Sequence, residues 1–289
     1  MSLRKSALTG VSAIALSMGL AYSAQAAVLP VTNLTFNVFN AGSSFPAFEP
    51  KDLFTEVMPT NWGVGTAGSA GTLTFVGQQG SEGVTGPRVG ADVYAVYTNP
   101  GFTVTVPPGT NFYQADGNPQ FESTILQTIT GLTAGTTYSL EFQQAAGQQT
   151  GFSGDTTEQW KVFLGVGGIG VSCPPNPPGG LCTVTGTTNN QEEDSPLMST
   201  PSQMNTNWNS ANLSFTPTAA DLGGGSSAVL TFLAWGDNGS DVNLPPTVFL
   251  EGVNTPVVPE PATLSLLGVG LLGLGGIAWR RRNKRSAAG

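Results

Sequence analysis

Short runs in which apolar and polar residues alternate dominate the middle of the chain. Clusters of Gly, Pro, Asn and Ser separate these runs, and no useful length of sequence there has a helical period. Alternation puts the apolar side chains on one face of a β-strand. The pattern predicts an all-β fold, a two-sheet antiparallel sandwich. The alternating runs are Leu34–Val38, Leu73–Phe75, Val93–Tyr97, Phe102–Val106, Tyr138–Phe142, Trp160–Leu164, Leu213–Phe215, Leu230–Ala234 and Val248–Leu250.

The segment from Ile125 to Phe142 predicts a β-hairpin. Tyr138, Leu140 and Phe142 alternate with polar residues, and Gly131 and Gly135 permit a tight reversal before them.

Gln127 to Phe142 resembles the central hairpin of galactose-binding-like jelly rolls, including family 4 and 9 carbohydrate-binding modules. The resemblance follows Gln127, Gly131, Gly135 and the alternating run from Tyr138. It implies a jelly-roll-like sandwich related to carbohydrate-binding domains. In the closing strand the chain has Glu251-Gly252 where that family usually has Asp-Asn, so no site residue is transferred from that strand.

Residues 165–212 are poor in alternation and rich in Pro, Asn and Thr, which predicts one long loop within a domain spanning residues 27–255. Cys173 and Cys182 enclose a run of turn-forming residues in this segment. Two cysteines this close, together with the targeting segments described below, predict a local disulfide. Closing a ten-residue loop contributes about 2.7 kcal/mol in the chain-entropy model.

The C-terminal residues 256–289 have the order of a sorting tail. The motif Val258-Pro259-Glu260-Pro261 is followed by an apolar run over 262–279 and a basic end over 280–285. An eighteen-residue helix rises about 27 Å, which is close to the thickness of the bilayer core. The run therefore predicts one transmembrane helix, and its cations should stay cytoplasmic. The cations are Arg280, Arg281, Arg282, Lys284 and Arg285.

This tail resembles the PEP-CTERM sorting signal of Gram-negative and related bacteria, with Pro259, Glu260 and Pro261 as the signature. The resemblance implies processing near that motif by an exosortase-type intramembrane peptidase. It therefore predicts an inner-membrane intermediate, followed by a final location at the cell surface or in the extracellular matrix.

The first residues predict a signal peptide spanning 1–26. Arg4 and Lys5 precede an apolar stretch, and Ala24-Gln25-Ala26 has the small-x-small pattern that signal peptidase requires. The chain between the targeting segments then has three basic and seventeen acidic residues, a net charge of −14. Nucleic acid is excluded as a partner, because phosphate binding needs clustered Lys and Arg.

The chain contains no histidine, which removes Ser-His-Asp and Cys-His catalysis. No catalytic residues are assigned, and the chain is not predicted to be an enzyme. A carboxylate pair can still hydrolyse a glycosidic bond, but the sequence identifies no such pair. Glu192, Glu193 and Asp194 form an acidic run, either solvated or binding a cation.

Two candidate binding sites emerge from the loops. Aromatic rings that stack on pyranose faces predict sugar contacts at Trp62, Tyr113, Trp208 and Trp235, with core packing as the alternative. Oxygen ligands at Asp237, Asn238 and Asp241 suit a calcium-binding turn, and an ordinary turn is the alternative. No other cofactor is predicted.

These features favour an exported envelope or extracellular-matrix protein with a structural or adhesive role and weak polysaccharide binding. A dedicated carbohydrate-binding lectin and a carboxylate-dependent glycan hydrolase remain as alternatives, because a fold-level resemblance does not choose between them.

Overall fold

The computed structural model describes residues 26–37, 59–64, 74–78, 111–173, 181–237 and 244–254. These residues contain β-strands and no α-helix, so the predicted all-β class is confirmed. The strands are β1 (Ala27–Val28), β2 (Gly63–Val64), β3 (Thr74–Gln78), β4 (Asn111–Asp116), β5 (Thr124–Thr130), β6 (Tyr138–Gln148), β7 (Thr156–Gly165), β8 (Gly170–Ser172), β9 (Thr183–Thr185), β10 (Asn190–Asp194), β11 (Met198–Thr200), β12 (Asn209–Phe215), β13 (Ser227–Gly236) and β14 (Pro246–Glu251).

Several predictions fall outside the described residues. They are the signal peptide, the alternating runs at 93–97 and 102–106, and the tail over 256–289 with its transmembrane helix. Within the described ranges, no helix has the length and hydropathy needed to span a bilayer.

The strands form two large sheets and a small one. Sheet I has the order β12, β6, β14, β4, β3, and the short β1 pairs in parallel with β6 in line with β14. Sheet II has the order β2, β5, β13, β7, and both β10 and β11 pair with the free side of β7. Among the described strands, every pairing apart from that of β1 is antiparallel. Strands β8 and β9 form the third sheet.

The core lies between the inner faces of sheets I and II. Phe142 of sheet I and Phe232 of sheet II meet edge to face with ring centroids 5.3 Å apart. Trp160 contacts the same Phe232 ring at 5.9 Å, and its indole N–H donates a 3.0 Å hydrogen bond to the Phe249 carbonyl of sheet I. Buried Tyr and Trp side chains need such a polar partner. One apolar cluster therefore holds the two sheets face to face.

The predicted hairpin between β5 and β6 is wrong, although both strands exist. Strand β5 belongs to sheet II and β6 to sheet I, so the residues between them cross from one sheet to the other. Leu132 is buried in the core along this crossing, and the Gly135 amide donates to the Pro217 carbonyl at 2.8 Å. Gly131 and Gly135 have φ values of +80° and +78°, which explains why glycine occupies these two positions. Alternation predicts strands but does not identify their partners.

The predicted strand at Leu34–Val38 is also wrong. Residues 32–36 form a turn closed by a hydrogen bond from the Phe36 amide to the Asn33 carbonyl. Phe36 has a φ of +54° and is fully buried, with its ring 4.6 Å from the ring of Tyr113. Its burial among other aromatic rings, and not strand pairing, explains the apolar position. Val38 lies outside the described residues.

The segment 165–212 is more ordered than the predicted long loop. It contributes β8, β9, β10, β11 and the start of β12. Strand β10 has the sequence Asn-Gln-Glu-Glu-Asp and lies at the edge of sheet II, where only one side of the strand needs a partner. Charged side chains are typical of such edges because they discourage further pairing. A polar edge strand lacks the alternation from which strands are predicted.

A buried amide fixes the N-terminal segment to sheet II. Gln127 points inward from β5 and is 1% exposed. Its Oε1 accepts from the Thr32 amide at 2.7 Å and the Thr32 hydroxyl at 3.2 Å, and its Nε2 donates to the Thr32 carbonyl at 3.0 Å. A polar group at an inward strand position is tolerated because these bonds satisfy it.

We expect Gln127→Leu to lower the free energy of unfolding by about 1–3 kcal/mol, because it removes three hydrogen bonds to Thr32 while keeping an inward side chain of similar size. Thr128→Val is the matched control on the exposed face of the same strand. Urea denaturation of the full chain, followed by tryptophan fluorescence, measures both. Equal stability losses in the two variants would refute the anchoring role of Gln127.

Candidate functional site

The candidate site lies on the outer face of sheet II. Strand pairing places Leu126 opposite Thr231, Thr231 opposite Phe163, and Phe163 opposite Glu192. These residues alternate along their strands with core residues such as Ile125, so their side chains point away from sheet I. Leu233, Lys161 and Asp194 form the next row on this face.

A ribbon made of β8 and β9 crosses the middle of this face. The disulfide between Cys173 and Cys182 joins its two strands, as the sequence predicts. Ile169 and Val171 of the ribbon pack on Phe163 and Leu233, and the Ile169 amide donates to the Thr231 hydroxyl at 3.2 Å. The ribbon leaves polar groups accessible on either side of it.

A cleft of about 540 Å³ lies on the side of the ribbon nearest β5 and β2. This volume is within the range of small-molecule sites in proteins. Hydroxyl, amide and apolar groups line it, and none of the lining residues that the structure describes is charged. The lining residues are Thr32, Asn61, Trp62, Gly63, Leu126 and Thr128.

Short-range contacts fix the wall of this cleft. The turn that carries Asn61 is closed by a 3.0 Å hydrogen bond from the Trp62 amide to the Pro59 carbonyl. Asn61 has a φ of +72°, a backbone conformation that Asn tolerates better than most residues. Its Nδ2 donates to the Thr32 hydroxyl at 3.1 Å. Because Gln127 holds Thr32, the amide and the hydroxyl are both positioned before any ligand arrives.

An ion-pair cluster occupies the other side of the ribbon. Lys161 Nζ is 2.9 Å from Glu192 Oε1 and 3.5 Å from Asp194 Oδ2, and it lies 5.3 Å from the ring centroid of Trp235. Burial lowers the pKa of Lys161, but the hydrogen bond with Glu192 and the two nearby carboxylates outweigh burial and raise that pKa overall. Glu192 and Asp194 thus belong to a network with Lys161.

Glu122 is a buried carboxyl beside this cluster. It precedes β5 and is 6% exposed, and burial raises its pKa to about 7 while the charge of Lys161 partly opposes the shift. A carboxyl with such a pKa exchanges its proton near neutral pH.

Three more carboxyls are buried near one end of the sandwich. Burial raises the pKa of Asp116 to about 8, and the Asn118 amide, 2.8 Å from its Oδ1, partly opposes this. Burial likewise raises the pKa of Glu158 to about 8, although the hydroxyls of Thr156 and Thr200 donate to it. The charge of Asp237 raises both pKa values further, so the three groups lie within electrostatic reach of one another.

The predicted calcium turn is described only at its first residue. Asp237 has a φ of +51°, and burial raises its pKa to about 6, partly opposed by the Thr157 amide. Asn238 and Asp241 lie outside the described residues. Within the described part of the chain, no group of three or more Cys, Asp or Glu side chains is arranged to hold a metal ion. Calcium binding stays a prediction.

The structure places the predicted sugar-contacting aromatics mostly in the interior. Tyr113 is fully buried, and Trp208 is 5% exposed in a cluster with Phe112 and Phe249. The prediction that Tyr113 and Trp208 are exposed platforms for sugar rings is therefore wrong, and both side chains pack in the interior. Trp62 is also largely buried, yet it lines the cleft. Trp235 is partly exposed beneath the Lys161 ammonium.

Sequence reasoning missed most of the cleft. Thr32, Asn61 and Thr128 are common surface residues, and only strand pairing and the Gln127 contacts bring them together. One signal was present, since Gln127 is polar at a position where alternation requires an inward side chain.

The tail beyond the described residues matches one family model. The model is the PEP-CTERM protein-sorting motif, and the match covers residues 257–282. The chain carries a PEP-CTERM sorting motif. The match contains Pro259, Glu260 and Pro261 and reaches Arg282, whereas Lys284 and Arg285 follow it. A PEP-CTERM motif implies export, recognition by an exosortase and membrane-associated sorting toward the cell surface.

No curated protein matches the chain. Among solved structures, the enzymatically active domain of tailspike protein 4 from bacteriophage CBA120 is similar at 11% identity and a TM-score of 0.32, over 67% of this chain and 19% of that one. A Stig cyclase from Fischerella sp. TAU is similar at 14% identity and a TM-score of 0.38, over 79% of this chain and 96% of that one. TmCBM61 in complex with β-1,4-galactotriose is similar at 10% identity and a TM-score of 0.29, over 67% of this chain and 86% of that one. At these scores the similarities carry no argument about activity or ligand.

We expect the free energy of unfolding to fall as pH rises from about 4 to about 8. The folded protein keeps protons on Asp116 and Glu158 up to about pH 8, whereas the unfolded chain releases them near their ordinary values of 3.8 and 4.5. The folded state therefore binds more protons across this interval, and raising the pH favours unfolding. Thermal melts at several pH values measure the slope.

Asp116→Asn and Glu158→Gln should each flatten this slope, because neither replacement can ionise. Each variant should also keep a larger share of its pH 4 stability at pH 8 than the wild type does. If both variants keep the wild-type slope, the buried carboxyls do not determine the pH dependence.

Proposed function

We propose that this protein is exported, sorted through its PEP-CTERM tail and retained at the cell surface or in the extracellular matrix. There it has a structural or adhesive role and binds polysaccharide weakly through the cleft on sheet II. The partners are signal peptidase, an exosortase-type peptidase, the inner membrane as a transient site, and an extracellular polysaccharide.

The PEP-CTERM match at residues 257–282 is the observation that carries this proposal. The acidic segment between the targeting segments supports an extracellular role, because a net charge far from zero favours solubility. The absence of histidine from the whole sequence disfavours the common hydrolytic triads, which is consistent with a binding or structural role.

The cleft supports the polysaccharide part of the proposal. Sugar sites combine apolar walls with a few fixed hydrogen-bonding groups. Leu126 and Trp62 supply apolar surface, and Asn61 and Thr128 supply an amide and a hydroxyl. Few polar groups in an accessible cleft would give weak binding, which suits adhesion through many copies of the protein on one polymer.

Glu260→Ala tests the sorting step. We expect the variant to accumulate unprocessed in the inner membrane of a host that has an exosortase, because the variant alters the PEP-CTERM signature. Cell fractionation and immunoblotting distinguish the processed form from the full chain. Glu193→Gln, a carboxylate change outside the tail, is the control. Normal processing of the Glu260 variant would contradict recognition through this motif.

Binding is tested with the full chain in detergent and the host's own extracellular polysaccharide, with calcium and with a chelator. We expect saturable co-sedimentation that the combined Asn61→Gly and Thr128→Val changes weaken. Glycine preserves the positive φ at position 61, and valine preserves the β-branched shape at position 128. Loss of binding with chelator alone would support a cation site at Asp237. No binding under either condition would refute the adhesive role through polysaccharide.

Glu122 and Asp194 support one alternative function, a carboxylate-dependent glycan hydrolase. Both carboxyls lie near Lys161, and the raised pKa of Glu122 suits a proton donor at neutral pH. Release of reducing ends from the host polysaccharide, lost in Glu122→Gln, would favour that alternative over adhesion. Tight saturable binding without hydrolysis would instead favour a dedicated lectin.

A further inference from the structure

We propose that the cleft on sheet II selects an uncharged polysaccharide over an anionic one. This inference rests on the proposed function, and it names the ligand class of the same site. It depends on the hydrogen-bonding groups in the cleft and on the position of nearby charges.

The groups that face the cleft form a neutral set of donors and acceptors. Asn61 is exposed, and one N–H of its amide is used for Thr32. Among the described residues, no group donates to its Oδ1, and the exposed Thr128 hydroxyl has no hydrogen-bond partner. A carboxamide that offers both an acceptor and a donor, beside a hydroxyl, complements the hydroxyls of a neutral sugar.

An anionic sugar needs different groups. A carboxylate or sulfate accepts hydrogen bonds only, and it binds well where cations or several N–H donors converge. The described residues that line the cleft include no cation, and the Asn61 oxygen there is an acceptor that an anion cannot use.

Within the described part of sheet II, the cation on the outer face is already engaged in ion pairs. Among the described residues, Lys161 is the only lysine or arginine. Its Nζ pairs with Glu192 at 2.9 Å and with Asp194 at 3.5 Å. It also lies on the far side of the ribbon from the cleft, on β7 and not on β5. The residues between the targeting segments carry a net charge of −14, so an approaching polyanion would be repelled.

The experiment compares probe polymers of both classes. The full chain in detergent is tested by affinity electrophoresis against dextran and galactan as neutral polymers, and against alginate and polygalacturonate as anionic ones. The chelator is present throughout, and each binding curve is repeated at low and high salt. We expect retardation by a neutral polymer, little effect of salt, and no retardation by either anionic polymer.

Three variants locate the interaction. Thr128→Val and Asn61→Gly should each weaken neutral-polymer binding by about fivefold, the effect of losing one hydrogen bond. Lys161→Gln is the matched control, because it removes the cation from the same sheet face outside the cleft, and it should leave binding unchanged. Circular dichroism and thermal melts verify that each variant is folded.

The outcomes are distinguishable. Retardation by alginate or polygalacturonate that disappears in Lys161→Gln or at high salt would overturn the proposed selectivity while leaving polysaccharide binding intact. Neutral-polymer binding that survives both cleft variants would place the site elsewhere and overturn the inference. Failure of the host polysaccharide and all four probes to bind would refute the proposed binding function itself.

Discussion

Contact between the inner faces of sheets I and II is the constraint on which the rest of the structure depends. Phe142, Trp160 and Phe232 meet in the middle of the interface, and the Trp160 indole bonds to the backbone of sheet I. Burying such rings contributes on the order of 1.5–3 kcal/mol each. Each central strand therefore presents apolar side chains inward, and its alternate side chains lie on the outer face.

This division explains why the candidate site lies on the outer face of sheet II. A ribbon closed by the Cys173–Cys182 disulfide covers the apolar residues Phe163 and Leu233 there. Polar groups remain on both sides of it, neutral in the cleft and charged around Lys161. The cleft is fixed by the core, because Gln127 reaches it from an inward position and holds Thr32. Its geometry is set before binding, which reduces the conformational entropy that the protein must lose when a ligand binds.

The buried carboxyls of Asp116 and Glu158 lower the stability of the folded protein at high pH. Their protons are retained only because the surrounding structure excludes water, so folding and ionisation are coupled. The folded protein thus carries groups that make its stability depend on the pH of its surroundings.

The sequence by itself determined the all-β class, most of the core strands, the disulfide pair and the PEP-CTERM tail. Each of these follows from local pattern or from spacing along the chain, such as the alternation at Tyr138, Leu140 and Phe142. The tertiary structure decided which strands pair, and it moved β5 and β6 into opposite sheets. It also buried Tyr113 and Trp208 and assembled the cleft from residues 32, 61 and 128. Which strands pair and which side chains are buried depend on contacts between residues distant in sequence. The alternation and composition of a segment carry no information about which distant segment it will contact.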